Sequence, residues 1–268
     1  MRLLFRYPGS KKYLAKHILK IIPEHNVYIE VFGGTGILLL LKPESKVEIF
    51  NDINEDIVNL FRVIRDEEKF KKFIIRVKFL LNSQSDFNYF KEKYLNNDYK
   101  DDIDRAITIF YLQNLAINGM LRGYRKYYFS VQRNLTLPSI QQIEVIHNRI
   151  RKVYFVNLDF RELFQRVYNM LQRRDKAFRE QVLFYLDPPY INADKRLYKH
   201  KFTIQDHKEM LEWVLKLNDC KFIISGYDSE LYNEYLKNFK KKKFKKLVTL
   251  SVNVDKKYKV DEYLWYNF

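Results

Sequence analysis

Asp187 opens the run DPPY, which directly follows the apolar stretch from Val182 to Leu186. The two prolines fix the backbone and remove two N–H donors, so the carbonyl of Pro188 can point outward as an acceptor. A carboxylate and a carbonyl side by side can accept both hydrogens of an exocyclic amino group, and Tyr190 supplies a flat ring for stacking. The run therefore predicts a site for a nucleobase amine. The alternative is a Pro-Pro turn that only ends a strand.

A second candidate is the turn FGGTG, residues 32–36, which follows the apolar stretch VYIEV. Glycines at positions 33, 34 and 36 allow the backbone to approach a ligand closely at the start of a helix. The dinucleotide fingerprint G-x-G-x-x-G is absent, because position 39 is leucine. A tight turn without any ligand is the alternative interpretation.

Asp52 follows the next apolar stretch, VEIFN. An acid at this place can accept hydrogen bonds from ribose hydroxyls. Alternatively, Asp52 caps the helix that follows, which is a common role for aspartate. Together with the glycine turn, Asp52 indicates a nucleoside ligand without a pyrophosphate, and S-adenosylmethionine is the leading candidate.

The elements that must position these groups alternate between strand and helix. Such alternation predicts a parallel, doubly wound α/β sheet. Predicted strands cover 27–32, 47–51, 152–157, 182–187 and 221–225, with late β segments at 246–252 and 260–266. The alternation stops between about 60 and 151, where the pattern is mostly helical. We therefore predict a catalytic domain from 1–59 and 147–268 and a mostly helical inserted domain from 60–146, which is long for a connection and suits target recognition.

The charge of the chain favours a polyanionic partner. Lys and Arg number 49 against 33 acids, which gives a formal charge of +16 and a pI near 9.6. Nucleic acid is the commonest partner of such a chain, although an AT-rich genome or thermophily would also enrich lysine. The lysine run at 237–246 fits phosphate contacts, but a solvated helix end is the commoner origin of such a run.

Cysteine content and hydropathy limit the remaining classes. The single Cys220 excludes an internal disulfide and is interpreted as a core residue. We find neither a signal peptide nor an apolar run that could span a bilayer, so we expect a cytoplasmic protein with no membrane association. Five scattered histidines give no metal-binding pattern, and no obligatory protein partner is evident.

The motifs, taken in order, resemble those of the Dam-type, α-class adenine-specific DNA methyltransferases. The resemblance rests on RYPGSK (6–11), EVFGGTG (30–36), NDIN (51–54), NGMLR (118–122) and FYLDPPY (184–190). The carboxyl-terminal KVDEYLWYNF also resembles the last strand of that family, so the resemblance spans nearly the whole chain. In this family the target-recognition domain is inserted before the DPPY strand.

The resemblance implies that S-adenosylmethionine donates a methyl group to the 6-amino group of adenine in double-stranded DNA, after the base flips out of the helix. Neither a metal nor a covalent enzyme intermediate is needed. The implied catalytic residues are Asp187, Pro188 and Tyr190. The implied cofactor-binding residues are Tyr7, Lys11, Phe32, Gly34, Asp52, Asp159, Phe160 and Asp187.

The resemblance places DNA recognition in the basic and aromatic stretch NGMLRGYRKYYFS. The implied DNA-binding residues are Arg6, Asn118, Arg122, Arg125 and Lys126. GATC is one possible recognition sequence, since Dam-type enzymes read it. Two positions differ from that pattern: Ile117 replaces an aromatic residue and Gln132 replaces a proline.

Other functions remain open on the sequence alone. The same chemistry could methylate the 4-amino group of cytosine or adenine in RNA, although DPPY favours adenine. A nicotinamide-dependent oxidoreductase would need the pyrophosphate fingerprint. A non-catalytic nucleic-acid-binding protein would not need Lys11, Asp52 and Asp187. Membership of a restriction-modification system cannot be read from these residues.

Overall fold

The computed structural model describes residues 3–7, 9–116, 137–191, 202–248 and 258–268. The chain forms two compact units. The first comprises residues 1–10, 34–42 and 54–157, and the second comprises 11–33, 43–53 and 158–268. None of the described helices combines the length and apolar composition that crossing a membrane would require.

Helices and strands alternate along most of the chain. In order they are α1 (Lys12–Leu19), β1 (Val27–Glu30), α2 (Ile37–Leu41), β2 (Val47–Asn51), α3 (Glu55–Arg65), α4 (Glu67–Lys78), α5 (Gln84–Asn96), α6 (Asp102–Leu115), α7 (Ile140–Ile150), β3 (Tyr154–Val156), α8 (Phe160–Leu171), α9 (Lys176–Arg179), β4 (Val182–Leu186), α10 (Ile204–Lys216), β5 (Lys221–Gly226), α11 (Glu230–Tyr235), β6 (Lys240–Val248) and β7 (Tyr258–Tyr266).

The second unit is built on a sheet with the strand order β2-β1-β4-β5-β7-β6. The first four of these strands are parallel, whereas β7 is antiparallel to both β5 and β6. The chain passes from β1 outward to β2 on one side and from β4 outward to β5 on the other. Open parallel sheets bind ligands at such a switch point, beyond the carboxyl ends of the strands. The predicted α/β fold is confirmed.

The parallel strands form the core of this unit. Every residue of β4 is buried, as expected for a strand covered on both faces. The ring of Phe184 in β4 stacks on that of Phe222 in β5, with centroids 4.8 Å apart. Cys220 is buried beside this core, and burial raises the pKa of its thiol to about 12. The thiol is therefore protonated and unreactive at neutral pH, which agrees with its predicted place in the core.

The lysine run does not end a helix. Residues 240–246 lie within strand β6, which pairs with β7 over nine residues, from Lys240↔Tyr266 to Val248↔Tyr258. The interpretation as a solvated helix end is therefore wrong. The ammonium of Lys241 lies over an aromatic ring, with Nζ 4.6 Å from the ring centroid of Tyr263, and it also pairs with Asp228 at 2.7 Å. The lysines thus pack against aromatic rings of the neighbouring strand β7, a contact that their charge alone does not predict.

The first unit is mainly helical. Asn54 caps α3 by accepting a hydrogen bond from the backbone N–H of Asp56 at 3.1 Å. The guanidinium of Arg105 in α6 bonds the buried carboxylate of Asp56, with Nη2 2.6 Å from Oδ1, and so joins α6 to α3. The described residues between 60 and 146 lie mostly in helices, and the predicted inserted domain with those bounds stays a prediction.

Candidate active site

Asp187 lies immediately beyond the carboxyl end of β4, where the switch point of the sheet places a ligand. Its Oδ1 is 2.7 Å from Nζ of Lys11 and accepts a hydrogen bond from the Ser225 hydroxyl at 2.8 Å. Burial raises the pKa of Asp187 above its ordinary value, against the opposing effects of Lys11 and Ser225. The carboxylate is thus held in a fixed position by an ammonium and a hydroxyl.

Lys11 comes from the residue before α1 and is 5% exposed. Besides Asp187, its Nζ lies 3.5 Å from Oε1 of Glu262 and 4.5 Å from the ring centroid of Tyr190. One ammonium against two carboxylates gives this cluster a formal charge of minus one. An exposed amphipathic helix would leave this ammonium in water, whereas here it is buried beside two carboxylates.

Tyr190, the last residue of DPPY, is fixed through both its hydroxyl and its ring. The hydroxyl donates a hydrogen bond to Oε1 of Glu262, and the ring packs edge-on against Tyr227 with centroids 4.6 Å apart. Burial raises the pKa of Tyr190 well above its ordinary value, so the hydroxyl stays protonated and donates. Pro188 is buried beneath the turn. The four residues DPPY therefore form a rigid surface with a carboxylate at one end and a ring at the other.

Three phenylalanines form a cluster in the same unit. The ring of Phe32, which follows β1, lies 5.9 Å from that of Phe160 and 5.4 Å from that of Phe202, between centroids. The rings of Phe160 and Phe202 are also 5.4 Å apart. Phe160 begins α8 and Phe202 precedes α10. The cluster brings the predicted residues Phe32 and Phe160 together and adds Phe202, which the sequence analysis did not single out.

Asn51, the last residue of β2, connects three segments that carry predicted site residues. Its side-chain amide donates to the backbone carbonyls of Val31, at 2.9 Å, and Leu158, at 3.1 Å. The backbone carbonyl of Asn51 accepts from the backbone N–H of Gly33 at 2.7 Å. A Cβ added to Gly33 would lie 2.2 Å from the ring of Phe50. A larger residue at position 33 would therefore require the Phe50 ring to move.

Asp52 and Asp159 both follow strands but differ in their contacts. Asp52 is 9% exposed, and the cap of α3 is Asn54. The helix-cap alternative for Asp52 is therefore wrong. Asp159 caps α8 by accepting from the N–H of Arg161 at 2.9 Å, and its carboxylate also pairs with the Arg161 side chain at 3.2 Å. Asp159 thus has a structural role at the start of α8, and its predicted contact with a cofactor stays a prediction.

Tyr7 and Gly34 belong to the first unit and lie together there. Gly34 has a φ of +51°, which only glycine adopts readily. A Cβ added to Gly34 would lie 3.8 Å from the Tyr7 ring. Arg6 is exposed. The predicted DNA-binding residues Asn118, Arg122, Arg125 and Lys126 lie outside the described residues.

Two polar residues of the site, Glu262 and Ser225, were not predicted from the sequence. Glu262 is fully buried and shares one face of β7 with buried Leu264. The period-two alternation of a strand places a carboxylate on an apolar face here, and this signal could have identified it. Ser225 ends the apolar stretch KFIIS and carries no comparable signal.

The family comparison decides between the chemistries that this geometry allows. Residues 7–250 match the sequence model of the D12 class N6 adenine-specific DNA methyltransferases. The chain belongs to this family. The predicted resemblance to adenine-specific DNA methyltransferases is confirmed, and membership implies S-adenosylmethionine as methyl donor and DNA as substrate.

Curated relatives agree along almost their entire length. The Type II methyltransferase M1.LlaDCHI of Lactococcus lactis subsp. cremoris is 25% identical, over 100% of this chain and 96% of that protein. The DNA adenine methylase of Haemophilus influenzae is 22% identical, over 97% of this chain and 92% of its own. That of Escherichia coli K12 is 23% identical, over 98% and 94%.

Proposed function

We propose that this protein transfers the methyl group of S-adenosylmethionine to the 6-amino group of adenine in double-stranded DNA, with Asp187 as the acceptor for that amine. The observation that carries the proposal is the Asp187 carboxylate beyond β4, fixed by Lys11 and Ser225 beside the ring of Tyr190. A base amine needs an acceptor and a stacking surface, and this site provides both.

The residues of the second unit fit the cofactor. S-adenosylmethionine supplies an activated methyl group on a positively charged sulfonium, and the Lys11–Asp187–Glu262 cluster carries a formal charge of minus one. The Phe32–Phe160–Phe202 cluster offers an apolar surface suited to the adenine of a nucleoside. Asp52 would accept hydrogen bonds from the ribose hydroxyls. The family resemblance also implies Tyr7 and Gly34 as cofactor-binding residues.

Asp187 would orient the target amine. Its carboxylate and the carbonyl of Pro188 would accept the two amine hydrogens, so that the nitrogen lone pair is directed toward the methyl group. As the N–C bond formed and the S–C bond of the sulfonium broke, positive charge would develop on the amine and the preorganised carboxylate would stabilise it. The surplus amine proton would then pass to solvent, and the cofactor would leave as a neutral thioether. Lys11 and Ser225 hold that carboxylate in place, and most of the rate would come from positioning.

The target adenine would leave the DNA duplex before the reaction. Flipping a base out of the stack costs roughly a few kcal/mol, and stacking on an aromatic side chain returns about 1–3 kcal/mol per base. The ring of Tyr190 would provide that stacking. Sequence recognition would lie in the basic stretch with Asn118, Arg122, Arg125 and Lys126, for which GATC is a candidate target, and Arg6 would contact the duplex as well.

The proposal is tested by mass spectrometry of nucleosides from duplex DNA incubated with the purified protein and S-adenosylmethionine. We expect N6-methyladenine. Asp187→Asn, which keeps the size of the side chain and removes its charge, should lower the methylation rate by about 10²–10³-fold, the usual effect of losing one preorganised electrostatic contact.

Asp219→Asn serves as the matched control, because Asp219 pairs with Arg179 ahead of the amino end of β5 and not at its carboxyl end. An Asp187→Asn rate within tenfold of the wild-type rate would reject the assignment of Asp187. Formation of 4-methylcytosine, or methylation of RNA alone, would reject the proposed substrate.

A further inference from the structure

Glu262 is a buried carboxylate to which the proposed chemistry assigns no role beyond its charge. Its side chain is 0% exposed. In the sheet it lies opposite Phe244 of β6, and the next residue, Tyr263, pairs with Gly226 at the end of β5. Burial of a carboxylate is costly unless the group is paired and hydrogen-bonded. Its partners are the hydroxyl of Tyr190 and Nζ of Lys11.

We propose that Glu262 is a positioning residue for methyl transfer, which fixes the ring of Tyr190 and holds Lys11 between two carboxylates. The inference rests on the proposed function, because Tyr190 and Asp187 are the groups that would touch the adenine. Glu262 acts through both of them and itself touches neither the base nor the cofactor.

The first effect of Glu262 is mechanical. The Tyr190 ring is restrained by Tyr227 at its edge, by Nζ of Lys11 at 4.5 Å from its centroid, and by the hydrogen bond of its hydroxyl to Glu262. The hydrogen bond restrains the hydroxyl end of the side chain and so limits the swing of the ring about the Cα–Cβ bond. A stacked base would take its orientation from that ring.

The second effect is electrostatic. Lys11 and Asp187 alone would form a neutral pair, whose carboxylate is a weaker acceptor for a developing positive charge. Glu262 adds a second negative charge 3.5 Å from the same Nζ. It also opposes ionisation of Asp187 by charge repulsion, so it contributes to the raised pKa of that residue, after burial as the main cause. Among the described residues, the other polar and titratable groups around Asp187 include Ser225, Tyr185, Tyr190 and Tyr232.

Two variants and their combination test the proposal. Glu262→Gln keeps the size and an acceptor oxygen but removes the charge, and Tyr190→Phe removes only the hydroxyl. Each should lower kcat by roughly tenfold or more, the scale of a hydrogen bond to a charged group. The double variant should lose less than the product of the two single losses, because Tyr190→Phe removes the same hydrogen bond that Glu262→Gln weakens by removing the acceptor's charge.

A pH profile separates positioning from general support of the fold. With Glu262→Gln, the acid limb of kcat/KM should move to lower pH, because removal of a negative charge lets Asp187 ionise more easily. Tyr111→Phe is the control: its hydroxyl donates to the carbonyl of Leu81 at 2.7 Å in the first unit, so its loss should reduce stability and leave kcat and the acid limb unchanged.

Three outcomes would overturn the proposal while the wild type still makes N6-methyladenine. The two single losses could multiply in the double variant, the acid limb could stay in place with Glu262→Gln, or kcat could remain within twofold. Absence of N6-methyladenine from the wild-type reaction would instead reject the proposed function, and with it the role of Glu262. If Glu262→Gln failed to fold, Tyr190→Phe with an unchanged kcat would still reject the positioning role.

Discussion

His207 should make the stability of the fold depend on pH between about 6.5 and 4. The residue lies in α10 and is 1% exposed, with Nδ1 2.9 Å from the hydroxyl of Tyr232 and its ring 4.6 Å from that of Phe202. Burial lowers the pKa of His207 from 6.5 to about 4, against the opposing effects of Asp206 and the backbone of Pro189.

The sign of the effect follows from this lowered pKa. Above pH 6.5 the imidazole is neutral in both the folded and the unfolded chain, and its full contribution to stability is present. As the pH falls from 6.5 toward 4, the unfolded chain binds a proton that the folded chain does not, so the free energy of unfolding decreases. The pKa is lowered from 6.5 to about 4, and at about 1.4 kcal/mol per pH unit this gives a loss of about 3.5 kcal/mol.

The measurement is urea unfolding of the wild type and of His207→Gln at several pH values between 7 and 4.5. We expect the free energy of unfolding of the wild type to fall by about 1.4 kcal/mol more per pH unit than that of the variant. Asp206 and Asp228 have a pKa lowered from 3.8 and so titrate below this window. Equal slopes for the two proteins would refute the reasoning, because they would mean that the folded state accommodates the charged imidazole.

Two further predictions concern cofactor and sequence recognition. Asp52→Ala should weaken binding of S-adenosylmethionine by about 1–3 kcal/mol, the scale for a hydrogen bond to a charged acceptor, and calorimetry showing unchanged affinity would exclude a contact with the ribose. Arg122→Ala should relax the recognition sequence at one position by roughly 1–3 kcal/mol, because its guanidinium can bond two acceptors on a guanine edge. Methylome sequencing that showed the same motif at lower yield would instead mean that Arg122 only positions the duplex.

The parallel strands could be predicted from the sequence because they are buried on both faces. Such strands are nearly continuous apolar runs, and Val182–Leu186 is one of them. The acids that end these runs could be predicted too, since the carboxyl edge of a parallel sheet is where ligands bind. Asp187 was singled out in this way, whereas Lys11 was named only through the family resemblance, and their contact at 2.7 Å depends on the packing of α1.

The remaining features depend on neighbours that are distant in the chain. Glu262 reaches the site only because β7 runs antiparallel beside β5. The spacing of residues within either segment does not predict that pairing. The lysines of β6 were misinterpreted because their aromatic partners, such as Tyr263, lie on another strand. A run of charged residues indicates which side chains prefer water, but it does not indicate whether their backbone forms a helix or a strand.

Strand β6 is the outer strand of the described sheet, and an outer strand exposes a row of backbone groups that another chain can pair with. Lys240, Lys242 and Lys245 are exposed along this row. Two copies that approached edge to edge would place these ammonium groups against each other, and the repulsion opposes continuation of the sheet from molecule to molecule. Salt weakens this protection, because the screening length falls from about 30 Å at 0.01 M to about 10 Å at 0.1 M. The positive charge that favours binding of a polyanion thus also opposes self-association through β6.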